Sequence, residues 1–170
     1  MGADDIEDVW YPTVEDIITI HDDILDEYPE TEAGIRNRDD IAYAIEFISE
    51  GRFGKRPETL HEKAFHLLRL LTANHPFVDG NKRTALDTTA TFYLFNGYDF
   101  QFDDRIREIL RQFASDASSV EEDDVVEYLR ETTTPIDVDD ILGQWREELI
   151  QTGLRKFDDE RSRTDRRDDS

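Results

Sequence analysis

The chain has 170 residues, of which 42 are Asp or Glu and 20 are Lys or Arg, giving a formal net charge of −22. That length suits one domain with a modest core, and the charge argues against holding nucleic acid or an anionic membrane through a broad basic face. The absence of cysteine excludes disulfides and thiolate chemistry.

The acid is spread along the whole chain, while apolar positions keep helical spacing through it, so order rather than disorder is expected for most of the chain. The only lysines are Lys55, Lys63, Lys82 and Lys156. An acidic, lysine-poor surface suits a salt-rich cytoplasm, where screening shortens the reach of self-repulsion, and a halophilic source is the expectation. No apolar run approaches a membrane-spanning length, and Met1-Gly2-Ala3-Asp4-Asp5 is unlike a signal peptide. No membrane partner and a cytoplasmic location follow as expectations.

Residues 1–12 read as an acidic arm that docks through Trp10 and Tyr11. Thr13 with Asp16 forms a variant capping box, and Ile17, Ile20, Ile24 and Tyr28 follow at helical spacing until Pro29. A loop containing Gly34 leads to a second helix over about 39–50, with Ile41, Ala44, Ile45 and Ile48 on one face. Residues 51–57 form a glycine-bearing, locally basic loop whose plain reading is a solvated connector. A third helix spans about 58–73 and a fourth about 82–96, with Gly97 as a left-handed C-terminal cap. Residues 98–102 alternate as a short extended piece. A fifth helix covers about 104–114, and Ser119 with Glu122 predicts a capping box opening a sixth at about 120–131. Pro135 breaks the chain, and a last helix begins at Asp139 or Asp140. The fold class is all-α, with the third and fourth helices paired around one loop.

That loop is His75-Pro76-Phe77-Val78-Asp79-Gly80-Asn81-Lys82-Arg83-Thr84. A helix N-terminus presents free N–H groups and the positive end of the dipole, which suits a phosphate. Gly80 permits a tight turn. Lys82 and Arg83 add full charges, which at a helix start are unfavourable unless an anion binds there. Asp79 among these cations suits Mg²⁺ bridging phosphate oxygens, and Asn81 can donate or accept hydrogen bonds. Histidine is the natural base near neutral pH, so His75 is the candidate for deprotonating an attacking hydroxyl. Anion cradle, metal and base together describe phosphoryl or nucleotidyl transfer. Each residue also has a plainer reading: a lone His before Pro is often structural, and Asp-Gly-Asn is a common turn.

The loop resembles the central motif of the Fic/Doc family, His-Pro-Phe-x-Asp/Glu-Gly-Asn-Gly/Lys-Arg, at every fixed position from His75 to Arg83, and its Asn81-Lys82-Arg83 end resembles the Doc (death-on-curing) branch. Similarity to Doc runs from about Tyr11 to Thr134, through Ile20-His21-Asp22 and Gly34-Ile35-Arg36. The resemblance implies a Fic/Doc-like helical bundle over 13–134, built on a central helix, anion loop and helix, and carrying a short flap. A C-terminal helix over 135–157 and a charged, disordered tail over 158–170 lie outside it.

Carried over by resemblance, His75 takes the proton from a target hydroxyl and Asp79 binds Mg²⁺. Gly80, Asn81, Lys82 and Arg83 hold the phosphates of ATP, and Arg52, Phe53, Gly54 and Lys55 form the flap that aligns the target. AMP-transferring Fic proteins have Gly where this chain has Lys82, and a second Arg where it has Leu86. Doc shares both departures and transfers the terminal phosphate of ATP, so the implied activity is a protein kinase acting on a threonine of a translation elongation factor. Pro76 and Gly80 follow the Fic pattern where Doc differs. A self-inhibitory Ser/Thr-x-x-x-Glu-Gly/Asn motif is not formed before Gly51, because position 46 is Glu. Restraint by a cognate antitoxin is therefore implied. AMP transfer and a non-catalytic binding module stand as the competing readings.

Outside the loop, His61 and His66 do not share a helix face, which argues against zinc. His21-Asp22-Asp23 reads as a solvated helix face, and Trp145 as core or dimer packing.

Overall fold

The computed structural model describes residues 8–165. Helix α1 (Val14–Glu27) opens on the expected capping box: Asp16 N–H donates to Thr13 Oγ1 (3.1 Å) and Thr13 N–H to Asp16 Oδ2 (2.8 Å). It buries Ile17, His21 and Ile24 and stops at Tyr28, before Pro29. Helix α2 (Arg38–Glu50), capped by Asn37, buries Ile41, Ala44, Phe47 and Ile48. Helix α3 (Leu60–Ala73), capped by Thr59, is buried on nearly every face, including Leu60, Phe65, Leu67, Leu70 and Leu71. Although it carries His61, Glu62, Lys63, His66 and Arg69, none of its residues is exposed, and α3 packs against α2, α4 (Asn81–Phe95), α5 (Arg105–Asp116) and α6 (Glu122–Glu131).

The buried ammonium on α3 is hydrogen-bonded by carbonyl oxygens rather than paired, among the described residues, with a carboxylate within ion-pairing distance. Lys63 Nζ donates to the carbonyls of Ile48 and Pro57, both at 2.8 Å, and lies 5.6 Å from the Tyr11 ring centroid. Burial, followed by the nearby Arg56, pulls its pKa down. The bonds tie the end of α2 and the entry to α3 together.

The arm docks as the aromatics suggest, over the residues described. Trp10 N–H donates to Asn96 Oδ1 (2.9 Å), Asn96 Nδ2 donates to Trp10 O (3.0 Å), and the Trp10 ring packs on Phe95. Residues 1–7 of the expected arm lie outside the described residues. The extended piece after α4 is strand β1 (Tyr98–Phe100), and Gly97 before it is left-handed (φ 89°). A second strand, β2 (Thr133–Pro135), pairs antiparallel with it, Phe100 facing Thr133 and Tyr98 facing Pro135. The sequence reads Pro135 only as a break, because its strand is too short to show alternation.

The capping box expected at Ser119 does not form. Ser119 lies in a 3-10 turn (Ala117–Ser119), where its hydroxyl donates to Asp116 O (2.8 Å), and α6 begins at Glu122 with no side-chain cap. Glu122 instead faces His66, with Oε1 3.3 Å from Nε2.

His66 sits between the Phe47 and Phe65 rings, and Arg69 donates to its Nδ1 (2.9 Å from Nη2). Nδ1 is thus an acceptor and the ring is neutral, with its N–H on the Glu122 side. Burial, then Arg69 and Lys55, lowers its pKa to about 4. An unfolded histidine binds a proton near pH 6.5, so between pH 6.5 and about 4 the unfolded chain holds a proton that the folded chain refuses. Stability therefore falls as the pH drops through that window. In denaturant titrations at fixed salt, wild type should lose roughly 1–2 kcal/mol between pH 7 and 5 through this group. His66→Gln should lose correspondingly less; equal losses would show that His66 is not the group that titrates.

The chain divides into one compact unit through Pro135 and a second from Ile136. The second is helix α7 (Val138–Asp165), which continues past residue 157, where the sequence reads a frayed tail; residues 166–170 lie outside the described residues. Trp145 is 60% exposed on it, and Leu142 and Leu149 are exposed too, so of the core or dimer packing expected for Trp145 the core position is not the one observed. No described helix is long and apolar enough to cross a membrane.

Candidate active site

The loop between α3 and α4 is held from three sides. Pro76 O accepts from Arg36 N–H (2.7 Å) and Asn37 N–H (3.1 Å), Val78 N–H donates to Gly34 O (3.0 Å), and Ile35 pairs with Phe77 in an isolated antiparallel bridge. The segment after α1 is therefore stitched to the loop. Gly34 permits this approach: at φ 139°, a Cβ there would lie 2.8 Å from Val78 Cγ2. Phe77 is fully buried and anchors the loop in the core. Asn81 brackets it, Oδ1 accepting from Phe77 N–H and Nδ2 donating to Phe77 O, both at 2.9 Å. The Asn81 amide thus fixes the loop's shape, while its main chain begins α4.

Beneath the loop lies His21. Its ring stacks on Phe77 (centroids 3.8 Å apart, 11° between planes), and Nδ1 is 2.9 Å from Thr84 Oγ1. Thr84 Oγ1 in turn donates to Gly80 O (2.8 Å), so its hydroxyl proton is committed and His21 Nδ1–H is the donor to it. Nε2 then carries the lone pair; it is buried and has no partner. Burial lowers the pKa of His21, against the opposing pull of Asp22 and Asp79. The solvated face read from His21-Asp22-Asp23 holds only for the two acids. His21 lies four residues after Ile17 and three before Ile24, so it shares their buried face and is 2% exposed.

Gly80 adopts φ 76° and is the N-cap of α4. A Cβ there would lie 3.2 Å from Thr31 Cγ2 and 3.4 Å from His21 Cε1, so both backbone angle and space call for glycine. Helix α4 has no side-chain cap and no acid in its first turn, which carries Lys82 and Arg83 instead. Its first N–H groups are left for an external acceptor.

His75, Asp79, Gly80, Asn81, Lys82 and Arg83 line one cleft of about 450 Å³, together with Arg36 and Val78. All six candidates from the motif are thus gathered in one place. His75 is half-buried, with a left-handed backbone (φ 48°). Asp79 accepts from Gly80 N–H (2.8 Å) and Glu32 N–H (3.2 Å) and stays exposed. Arg83 lies over the Tyr28 ring, 4.7 Å from its centroid, and donates to the Tyr28 hydroxyl. Among the described residues, no carboxylate lies within ion-pairing distance of Arg36, Lys82 or Arg83. Arg36 escapes the site reading of the sequence because it stands far from the motif in a loop of its own.

No described cluster of three or more His, Asp or Glu side chains could cage a metal. One exposed carboxylate beside an anion cradle does fit Mg²⁺ that completes its shell with phosphate oxygens and water.

Arg52, Phe53, Gly54 and Lys55 do not line the cleft. They form a tight hairpin in which Arg52 and Lys55 exchange both main-chain hydrogen bonds at 2.9 Å, across Phe53 (φ 54°) and Gly54 (φ 73°). Arg52 pairs with Glu46, and the Phe53 ring is 91% exposed.

The model of the Fic/DOC family matches residues 11–93, which include α1 to α3, the whole loop and most of α4. The helical architecture agrees with the Fic/Doc fold. Proteins of that family transfer phosphate or nucleotide groups to other proteins, using ATP with metal ions. No curated protein matches the chain.

Proposed function

We propose that this chain is a Doc-like toxin that transfers the γ-phosphate of ATP to a threonine hydroxyl of a protein target, such as a translation elongation factor. The supporting observation is one cleft holding His75, Asp79 and the uncapped N-terminus of α4, flanked by Lys82, Arg83 and Arg36, none of which has a carboxylate within ion-pairing distance among the described residues. In a chain with 42 acidic residues, cations without a carboxylate partner among the described residues, set around a helix N-terminus, fit an anionic ligand.

In this reading, His75 accepts the proton of the target hydroxyl as its oxygen attacks the γ-phosphorus. The bond from that phosphorus to the β-phosphate oxygen breaks, and ADP leaves. The free N–H groups of α4, with Lys82 and Arg83, hold the phosphate oxygens and stabilise their charge. Asp79 would hold Mg²⁺, which supplies further charge neutralisation on those oxygens. Asn81 and His21 keep the loop in shape, and the Arg52–Lys55 hairpin is the candidate flap for the target segment.

Lys82 and Leu86 favour phosphate over AMP transfer. Leu86 is 5% exposed and packs in the core, so α4 offers no further cation from that position. Pro76 and Gly80, which keep the Fic pattern, favour AMP transfer as the second reading. A cognate antitoxin and a salt-rich cytoplasm complete the proposal.

The test is incubation with the host elongation factor in molar KCl and Mg²⁺, with ATP labelled at the α or the γ phosphate. Label from the γ position on the target is the expected result. Label from the α position would replace the kinase by an AMP transferase, and no label from either would leave a binding module or another target.

A further inference from the structure

We propose that Arg36 is a phosphate ligand of this cleft, adding a cation from the segment between α1 and α2 to those of α4 and making the site select a polyphosphate over a monophosphate. The inference rests on the nucleotide-transfer reading and adds a residue and a specificity to it.

Arg36 comes from the segment between α1 and α2, yet it lines the same cleft as His75, Lys82 and Arg83. Its place is set by main-chain bonds rather than by its side chain. Arg36 N–H and Asn37 N–H both donate to Pro76 O, Ile35 bridges Phe77, and Gly34 allows the two segments to touch. The guanidinium itself has no carboxylate partner among the described residues, in a chain with 42 acids to 20 bases. By contrast Arg38, two residues later, pairs with Glu15. A fixed backbone carrying a guanidinium without a carboxylate partner among the described residues, on the lining of this cleft, suits bidentate capture of phosphate oxygens.

The cations come from two elements: Lys82 and Arg83 with the helix end from α4, and Arg36 from the segment before α2. A single phosphate seated on the helix end is served by α4 alone, whereas a chain of phosphates offers further oxygens for Arg36. Loss of Arg36 should therefore penalise ATP far more than AMP.

The experiment is calorimetric titration of the full chain at one fixed KCl concentration, with Mg²⁺, using ATP, AMP and inorganic tripolyphosphate. Arg36→Ala should weaken ATP and tripolyphosphate by about 10- to 100-fold and AMP by about threefold or less. Arg36→Lys, which keeps the charge but loses the fork, should recover part of the loss. An unchanged melting temperature is expected of both variants, because the main-chain bonds that shape the loop remain.

Equal ATP affinity in wild type and Arg36→Ala overturns the proposal, as does an equal loss for AMP. Tripolyphosphate binding that Arg36→Ala weakens, in a wild type that shows no preference for ATP, upholds the Arg36 grip while removing the nucleotide reading. Wild type that binds neither removes both.

Discussion

His75→Ala is expected to abolish transfer while leaving the fold and nucleotide affinity intact. A positioned general base contributes about 10²- to 10⁴-fold, so a loss of roughly 10³-fold in the single-turnover rate is expected. In the proposed mechanism the phosphates are held by other residues of the same cleft, the α4 N-terminus, Lys82, Arg83 and Arg36, so the ATP dissociation constant should change little. The backbone at His75 is left-handed (φ 48°), a conformation that costs a non-glycine residue about 1–3 kcal/mol and is held by the surrounding bonds. Alanine inherits that strain, so His75→Asn, whose side chain tolerates the conformation, serves as the folding control. Both variants should melt like wild type, bind ATP like wild type and transfer nothing above background. Wild-type rates in either variant would remove His75 as the base, and a matched fall in binding would place it in the anion grip.

The parts of this molecule that local chemistry dictates were open to reading from the chain. Thr13 and Asp16 close a capping box because both partners lie within one turn. Gly97 is left-handed because a helix end there needs it. The anion loop is legible because its chemistry is contiguous, from His75 to Arg83, and the structure gathers that contiguous set in one cleft. What was hidden depends on distant partners. Ser119 has the spacing of a cap, but its hydroxyl is taken by Asp116 O and Glu122 turns to His66. Thr133–Pro135 becomes a strand only because β1 is there to receive it. His21 looks like part of an acidic surface until the Ile17 and Ile24 face is traced, and its pairing with Thr84 crosses from α1 to α4. Arg36 is brought to the site by bonds from its main chain to Pro76, which no side-chain pattern announces.

That dependence on distant contacts sharpens the second large expectation, which concerns the acidic surface as a whole. The melting temperature should rise steeply with salt, by about 15 °C or more between dilute buffer and 2 M KCl. The folded chain carries a formal net charge of −22. Unfolding spreads those charges apart, so repulsion favours the unfolded chain until salt screens it. The Debye length falls from about 10 Å at 0.1 M to about 3 Å at 1 M, enough to remove repulsion on the order of 5 kcal/mol, or about 15 °C for a chain of this size. Pairing offers little relief, because the described ion pairs, such as Arg111 with Glu108, are largely at the exposed surface. Exposed carboxylates on the solvent face of α1, Asp22, Asp23 and Asp26, provide the control. Changing all three to Asn should raise the melting temperature in dilute buffer, flatten its salt dependence, and leave the molar-salt value nearly unchanged. A melt that does not move between dilute and molar KCl would show that the acid is incidental. A salt response unaffected by the three substitutions would assign it to general salting of apolar surface rather than to repulsion among these carboxylates.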